Sequence, residues 1–135
     1  MKKVLFVASE GVPFIKTGGL ADVVGSLPKC YNKEEYDVRV ILPKYMCMKE
    51  EWKNKMNYVT HFYMDLAWRS QYVGVLEMQY DGVQFYFIDN EYYFAGPKPY
   101  GNIYQDIEKF AFFSKAALSA LPVIGFKPDI VHCHD

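Results

Sequence analysis

A short apolar run, Val4-Leu5-Phe6-Val7-Ala8, stands just ahead of Lys16-Thr17-Gly18-Gly19-Leu20, and this pairing constrains the fold more than any other feature of the chain. Five consecutive apolar residues read as a buried strand. Leu20, Val23, Val24 and Leu27 then recur at helical spacing. Strand, tight glycine turn and helix present free backbone N–H groups at the helix start, where the helix dipole adds partial positive charge. Lys16 puts a full positive charge beside them. The pattern points to a phosphate-bearing ligand. The lysine precedes the glycines, so the motif is not G-x-x-x-x-G-K-S/T, nor is it G-x-G-x-x-G. Taken alone, a strand–Gly-Gly–helix turn is most often only a tight connection with close helix–sheet packing.

The remaining chain alternates strand and helix around a β-rich insertion. The first helix begins near Gly18 or Gly19, and Pro28 bends or ends it. Asp37 to Leu42 reads as a second strand closed by Pro43. Tyr45 to Asn57 is mixed and lysine-rich, a surface loop or short helix. Thr60 to Trp68 and Gln71 to Tyr80 are strand-like, with a turn expected at Arg69-Ser70. Asp81-Gly82 is a strong hairpin signal before the strand Val83 to Ile88. Glu91 to Gln105 is a long loop rich in Gly, Pro and Tyr, the kind that often carries function. Asp106 is the expected N-cap of a helix whose apolar stripe is Ile107, Phe110, Ala111, Ser114, Ala117, Leu118 and Leu121. Pro128-Asp129 leads into a last strand, Ile130 to His134.

Strand–helix–strand units at both ends imply right-handed parallel crossovers. The expected fold is therefore α/β, a Rossmann-like, doubly wound parallel sheet with an inserted antiparallel β-meander. Ligands of such sheets bind at strand carboxyl ends near the switch point. Both the Lys16–Gly19 motif and His134-Asp135 lie at strand carboxyl ends. If the first and last strands are neighbours, the two motifs meet across one crevice.

Composition excludes several classes. A 135-residue chain is about one domain's worth, with 51% apolar and 23% charged residues, which fits a globular protein. Net charge is −1, with no basic stripe for nucleic acid and no basic amphipathic helix for a membrane surface. No apolar stretch approaches a membrane span. Three widely spaced cysteines argue against a disulfide framework and for a reducing cytoplasm. Aromatics reach 18%; they suit a β-rich core, and tyrosine faces can also stack on sugars.

His132, Cys133, His134 and Asp135 are all potential metal ligands. On a strand, the two histidines share one face and the other two residues share the opposite face. A closed tetrahedral site needs partners from elsewhere, and His61 with two distant cysteines forms no recognisable spacing. No metal is expected. Asp135, just past a strand end, is either a carboxylate for sugar hydroxyls or proton transfer, or a solvated loop residue.

Three blocks carry a family resemblance. Ser9-Glu10, Pro13 and K-T-G-G-L-A-D-V-V-G-S-L-P-K from Lys16 to Lys29 resemble the opening of bacterial glycogen synthases and plant starch synthases. Asp37-Val38-Arg39-Val40-Ile41-Leu42-Pro43-Lys44-Tyr45 resembles the family's second strand and following turn. Pro128 to Asp135 resembles its P-D-I/V-I/V-H-x-H-D segment. The resemblance covers essentially the whole chain. It implies a two-domain GT-B enzyme that transfers glucose from a nucleotide sugar, usually ADP-glucose, to the non-reducing end of an α-1,4-glucan with retention. It implies no cofactor or metal, since preorganised basic groups stabilise the leaving diphosphate.

The resemblance also implies roles. Lys16, Gly18 and Gly19 would meet the donor phosphates. Asp22 would lie near the sugar and acceptor; as a first-turn acid it is also a favourable dipole partner. Tyr100 would stand on the acceptor side, and Asp135 at the sugar site. The family pattern before the second long helix resembles D-N-x-x-R-F, where this chain has Asp106-Ile107-Glu108-Lys109-Phe110. Lysine there keeps the charge but loses the planar fork. Residues 1–135 are expected to form the first part of the N-terminal domain, without the C-terminal nucleotide-binding domain. By itself this chain is then expected to be inactive and to self-associate through an exposed sheet edge. The alternative reading is a non-catalytic α/β module that binds a phosphate ligand or glucan.

Overall fold

The computed structural model describes residues 1–134. Six strands, β1 (Lys2–Val7), β2 (Tyr36–Pro43), β3 (Asn57–Leu66), β4 (Arg69–Tyr80), β5 (Val83–Asp89) and β6 (Ile130–Cys133), form one sheet in the order β3-β4-β5-β2-β1-β6. β5, β2, β1 and β6 run parallel, while β4 pairs antiparallel with both β3 and β5. The helices are α1 (Gly19–Ser26), α2 (Glu50–Lys53), α3 (Ile103–Ser119) and α4 (Leu121–Ile124), with a 3-10 turn at Leu27–Cys30. The expected parallel sheet with an antiparallel insertion is the fold found.

The topology places a switch point beside β1. From β1 the chain crosses through α1 to β2 on one side. From β5 it returns through α3 to β6 on the other side. Right-handed crossovers in opposite senses put α1 and α3 on opposite faces. Val7 pairs with Cys133, so the carboxyl ends of β1 and β6 are level. Val4, Leu5 and Phe6 on β1 and Val40, Ile41 and Leu42 on β2 are buried. Both strands are covered on both faces, which is why they read as continuous apolar runs rather than alternating ones. β6 lies at the sheet edge, and all four of its residues are exposed.

The meander differs from the sequence reading at one turn. Asp81-Gly82 does form the tight β4–β5 connection, with φ of 53° and 78°. The β3–β4 turn, however, lies at Ala67-Trp68 and not at Arg69-Ser70. Ala67 takes φ of 58°, and Leu66 pairs with Arg69. Trp68 is left on the surface at the hairpin tip. Arg69 is tied instead to α3, where its Nη2 donates to Glu108 Oε1 at 2.7 Å.

The long helix α3 starts earlier than expected. Asn102 is its N-cap, and its side chain accepts from the Tyr104 N–H. Asp106 lies inside the helix, where its carboxylate accepts from the Gly101 N–H at 3.0 Å. The buried face is also rotated from the expected stripe. Lys109, Phe112, Phe113, Ala116 and Ala117 are buried, whereas Ile107 and Leu118 are exposed. The helix carries two apolar stripes. The one with small alanines approaches the sheet, and Phe112 stacks on Tyr93 at 4.6 Å. The phenylalanines answer the aromatic question for the core: Phe14 alone meets Trp52, Tyr80, Phe85 and Phe87 edge-on at 4.9–5.7 Å between centroids. Several tyrosines, Tyr58, Tyr63, Tyr92 and Tyr104, remain exposed.

Close helix–loop packing occurs at Gly25, not at the Gly18-Gly19 turn. A Cβ on Gly25 would stand 2.2 Å from Val12 Cγ2 and 2.8 Å from the Val12 carbonyl oxygen. The backbone oxygen cannot yield as a flexible side chain would. Gly25→Ala is therefore expected to lower the unfolding free energy by about 1–3 kcal/mol, read from urea denaturation. Gly19→Ala, whose Cβ meets nothing within 4 Å, is expected to leave the urea midpoint essentially where it was.

Candidate functional site

The segment between β1 and α1 is held at three points. Phe14 sinks into the core. Gly11 and Ile15 form an isolated antiparallel bridge. Glu10, only 1% exposed, turns its carboxylate toward the loop that follows. Its Oε1 accepts from the Gly18 N–H at 3.0 Å and the Thr17 N–H at 3.3 Å. Its Oε2 accepts from the Thr17 hydroxyl and from the Tyr100 hydroxyl, the latter at 2.8 Å. Burial pushes this carboxyl up, but the hydrogen bonds from Thr17, Tyr100 and the Gly18 backbone outweigh it and hold it below its usual range.

Tyr100 reaches this point from the long loop between β5 and α3. The loop is pinned by Asn90, whose side-chain oxygen accepts from the Tyr92 and Tyr93 N–H groups at 3.0 Å. Lys109 pins its other end by donating to the Pro99 carbonyl at 2.9 Å, and it pairs with Asp106 at 3.3 Å. The lysine at this departure from the family pattern thus has a structural partner set, while Ile107 faces solvent. The Tyr100 hydroxyl donates to Glu10 and also lies 2.5 Å from Ser9 Oγ. Tyr45 fixes the same corner by donating to the Ser9 carbonyl at 2.7 Å.

A crevice of about 870 Å³ opens at this corner. Ser9 just after β1, Tyr100 from the loop, Phe110 and Leu118 from α3, Cys133 at the end of β6 and His134 just after it line the crevice. The second apolar stripe of α3 faces this space. His132 and His134 share one strand face, as expected, with rings stacked 4.2 Å apart and both against Phe6. Burial, with His132 nearby, pushes the His134 imidazole below its usual range. Among the described residues its buried Nε2 has no hydrogen-bond partner. Among the described residues, no three His, Cys, Asp or Glu side chains converge on a point where a metal ion could sit.

The structure joins some of the expected site residues and separates others. Gly18 and Tyr100 meet through Glu10, and Tyr100 shares the crevice with His134. Lys16 and Asp22 stand apart from that crevice and bind each other, with Nζ 2.9 and 2.8 Å from the two carboxylate oxygens. Both side chains are about half exposed, at 53% and 55%. Gly18 has φ of −161°, an extended conformation open to any residue. Gly19 also lacks a positive φ, and a Cβ on either glycine would meet nothing within 4 Å. Neither turn geometry nor packing therefore requires these glycines. Asp135 lies outside the described residues.

Glu10, which enters the sequence pattern only within Ser9-Glu10, is the residue on which Thr17, Gly18 and Tyr100 converge. Its type carries the one signal in the sequence: a carboxylate just after a buried strand must find donors, and Thr17-Gly18 follows at loop distance.

The fold is that of a Rossmann-like α/β domain, with a crevice open at the switch point between β1 and β6. A family model described as the starch synthase catalytic domain matches residues 3–135, and the chain belongs to that family. It is 73% identical over its full 135 residues to the glycogen synthase of Lachnoclostridium phytofermentans. It is 54% identical over 133 residues to that of Geobacillus thermodenitrificans. The chain spans 28% and 27% of the length of these relatives. A solved catalytic domain of starch synthase IV from Arabidopsis thaliana, bound to ADP and acarbose, superposes with a TM-score of 0.86 at 32% identity. That match covers 99% of this chain and 28% of the other.

Acid is expected to destabilise this corner through two groups. His134 and Glu10 both have folded-state values below their ordinary ones. Such groups stabilise the fold above their unfolded values and lose that contribution as pH falls through the folded ones. The melting temperature should decline as pH drops below about 6.5, the unfolded imidazole value, and fall further in the carboxylate range. His134→Asn should flatten the first part of the decline. A melting temperature that rises on acidification would contradict the assignment.

Proposed function

We propose that this chain is the first part of the N-terminal domain of a glycogen or starch synthase, a hexosyltransferase. In this reading the protein transfers glucose from ADP-glucose to the non-reducing end of an α-1,4-glucan such as glycogen, with retention. The observation that carries the reading is the open surface over Gly18 and Gly19 at the start of α1. Two glycines stand at a helix N-terminus, at the carboxyl end of β1, where neither conformation nor packing calls for glycine. Close backbone approach by a ligand does call for it. The helix dipole and the unpaired N–H groups there favour an anion.

The Gly18 N–H is already engaged by Glu10, so in this reading Gly19 supplies the N–H and Gly18 the clearance. Lys16 supplies the charge. Its pairing with Asp22 is a half-exposed surface contact of the weak kind, which a diphosphate can displace. Asp22, so released, and Asp135 would then serve the transferred sugar, and Tyr100 the acceptor side. Support for a nucleotide and a glucan comes from the Arabidopsis neighbour, solved with ADP and acarbose. The remaining donor contacts belong to a C-terminal nucleotide-binding domain outside this chain, so residues 1–135 alone transfer no glucose. A reducing cytoplasm suits the three free thiols, Cys30, Cys47 and Cys133. The exposed β6 edge also leads this chain, in isolation, to self-associate. Light scattering would then give a mass that grows with concentration, and a constant monomer mass would contradict it.

The activity is tested in a chimera whose residues 1–135 replace the matching segment of the L. phytofermentans glycogen synthase. The chimera is expected to incorporate glucose from ADP-glucose into glycogen. Lys16→Ala should lower its kcat/KM by about 10- to 100-fold, the loss of one charge-assisted contact. Gly19→Ala should do likewise without moving the unfolding midpoint. A folded chimera that binds ADP or glucan but transfers nothing would favour the non-catalytic module.

A further inference from the structure

We propose, building on the reading of Gly18–Gly19 as donor side and Tyr100 as acceptor side, that Glu10 is a positioning residue that couples the two. One buried carboxylate holds both loops. Oε2 accepts simultaneously from Thr17 and Tyr100, while Oε1 accepts from the Thr17 and Gly18 N–H groups. Thr17 is 7 residues from Glu10 in sequence and Tyr100 is 90 away. The two segments touch a common atom although nothing in the chain links them locally.

Charge makes this sharing cooperative. Among the described residues no Lys, Arg or His forms an ion pair with Glu10. Its negative charge is therefore held by neutral donors alone, and the loss of any one leaves the carboxylate short of a partner and free to shift. If the Tyr100 hydroxyl withdraws, Oε2 is left with Thr17 alone and the hold on the loop start loosens. If a ligand draws the Gly18 N–H away, Oε1 loses a donor and the hold on Tyr100 loosens in turn. Ser9 and Tyr45 hold the far side of Tyr100 and of the strand end, so the shift cannot be taken up by sliding β1. Coupling of this kind is reciprocal: what the acceptor does to Tyr100 is felt at Gly18, and the converse holds. An amide replaces the carboxylate imperfectly. Glutamine can keep an oxygen on the Thr17 and Gly18 N–H groups, but its NH₂ reverses the bonds to the Thr17 and Tyr100 hydroxyls and the charge that strengthens all four contacts is lost.

Two measurements separate coupling from a merely structural buried glutamate. The first needs no catalysis. In the 135-residue chain, Tyr100→Phe removes one hydroxyl and keeps the ring. Amide hydrogen exchange at Thr17 and Gly18 is expected to accelerate about tenfold, a loss of protection on the scale of one hydrogen bond. Exchange at both amides unchanged within about twofold would overturn the proposal. The second uses the chimera with Tyr100→Phe, Glu10→Gln and the double variant. Each single change should raise the KM for ADP-glucose about fivefold or more, with a smaller effect on kcat. The double variant should be no worse than the worse single one, because both break the same link. Effects that multiply, or a donor KM untouched by Tyr100→Phe, would overturn it. An inactive chimera with accelerated exchange would instead defeat the synthase reading and leave the coupling standing.

Discussion

A buried carboxylate must be surrounded by donors, and that requirement organises the corner of the molecule at Glu10, which pairs with no cation among the described residues. Glu10 sits directly beyond β1 and is almost inaccessible to water. Its demand for donors draws in the Thr17–Gly18 backbone, the Thr17 hydroxyl and the Tyr100 hydroxyl. The start of α1 is thereby fixed in direction before any ligand arrives. In the proposed synthase reading, preorganisation of this kind is what stabilising a leaving diphosphate would require, because no reorganisation is then needed during reaction.

The sheet supplies the setting. β1 lies between β2 and β6, and the chain leaves it in one direction early and returns on the other side late. Only at such a reversal do two loops part and leave a crevice at the strand ends. The long loop carrying Tyr100 closes one side of it, anchored by Asn90 and Lys109. Lys109 is buried and fully engaged, which explains how lysine serves where the family pattern resembles arginine: its task here is to tether a carbonyl, which needs no planar fork.

Legibility in the sequence followed how local each determinant was. The apolar runs of β1 and β2 and the Asp81-Gly82 hairpin were readable because a few adjacent residues determine them. The Ala67-Trp68 turn was not, since alanine at positive φ is imposed by strand register and not by preference. The buried face of α3 was misread because both of its stripes are apolar, and only the sheet decides which one it covers. The same holds for the proposed site. Among its residues, Lys16, Gly18 and Gly19 stood out by type and spacing. Glu10 did not, because its importance comes from Tyr100, 90 positions away. The glycines themselves changed meaning: the close packing that could have explained them is found at Gly25.

The most direct test of the account is a crystal structure of the chimera with ADP bound. The diphosphate is expected at the start of α1, with a phosphate oxygen about 3 Å from the Gly19 N–H and with Lys16 Nζ turned from Asp22 toward it, while Glu10 keeps Thr17 and Tyr100. A diphosphate bound elsewhere, with Lys16 still on Asp22 and the Gly18–Gly19 surface bare, would contradict it.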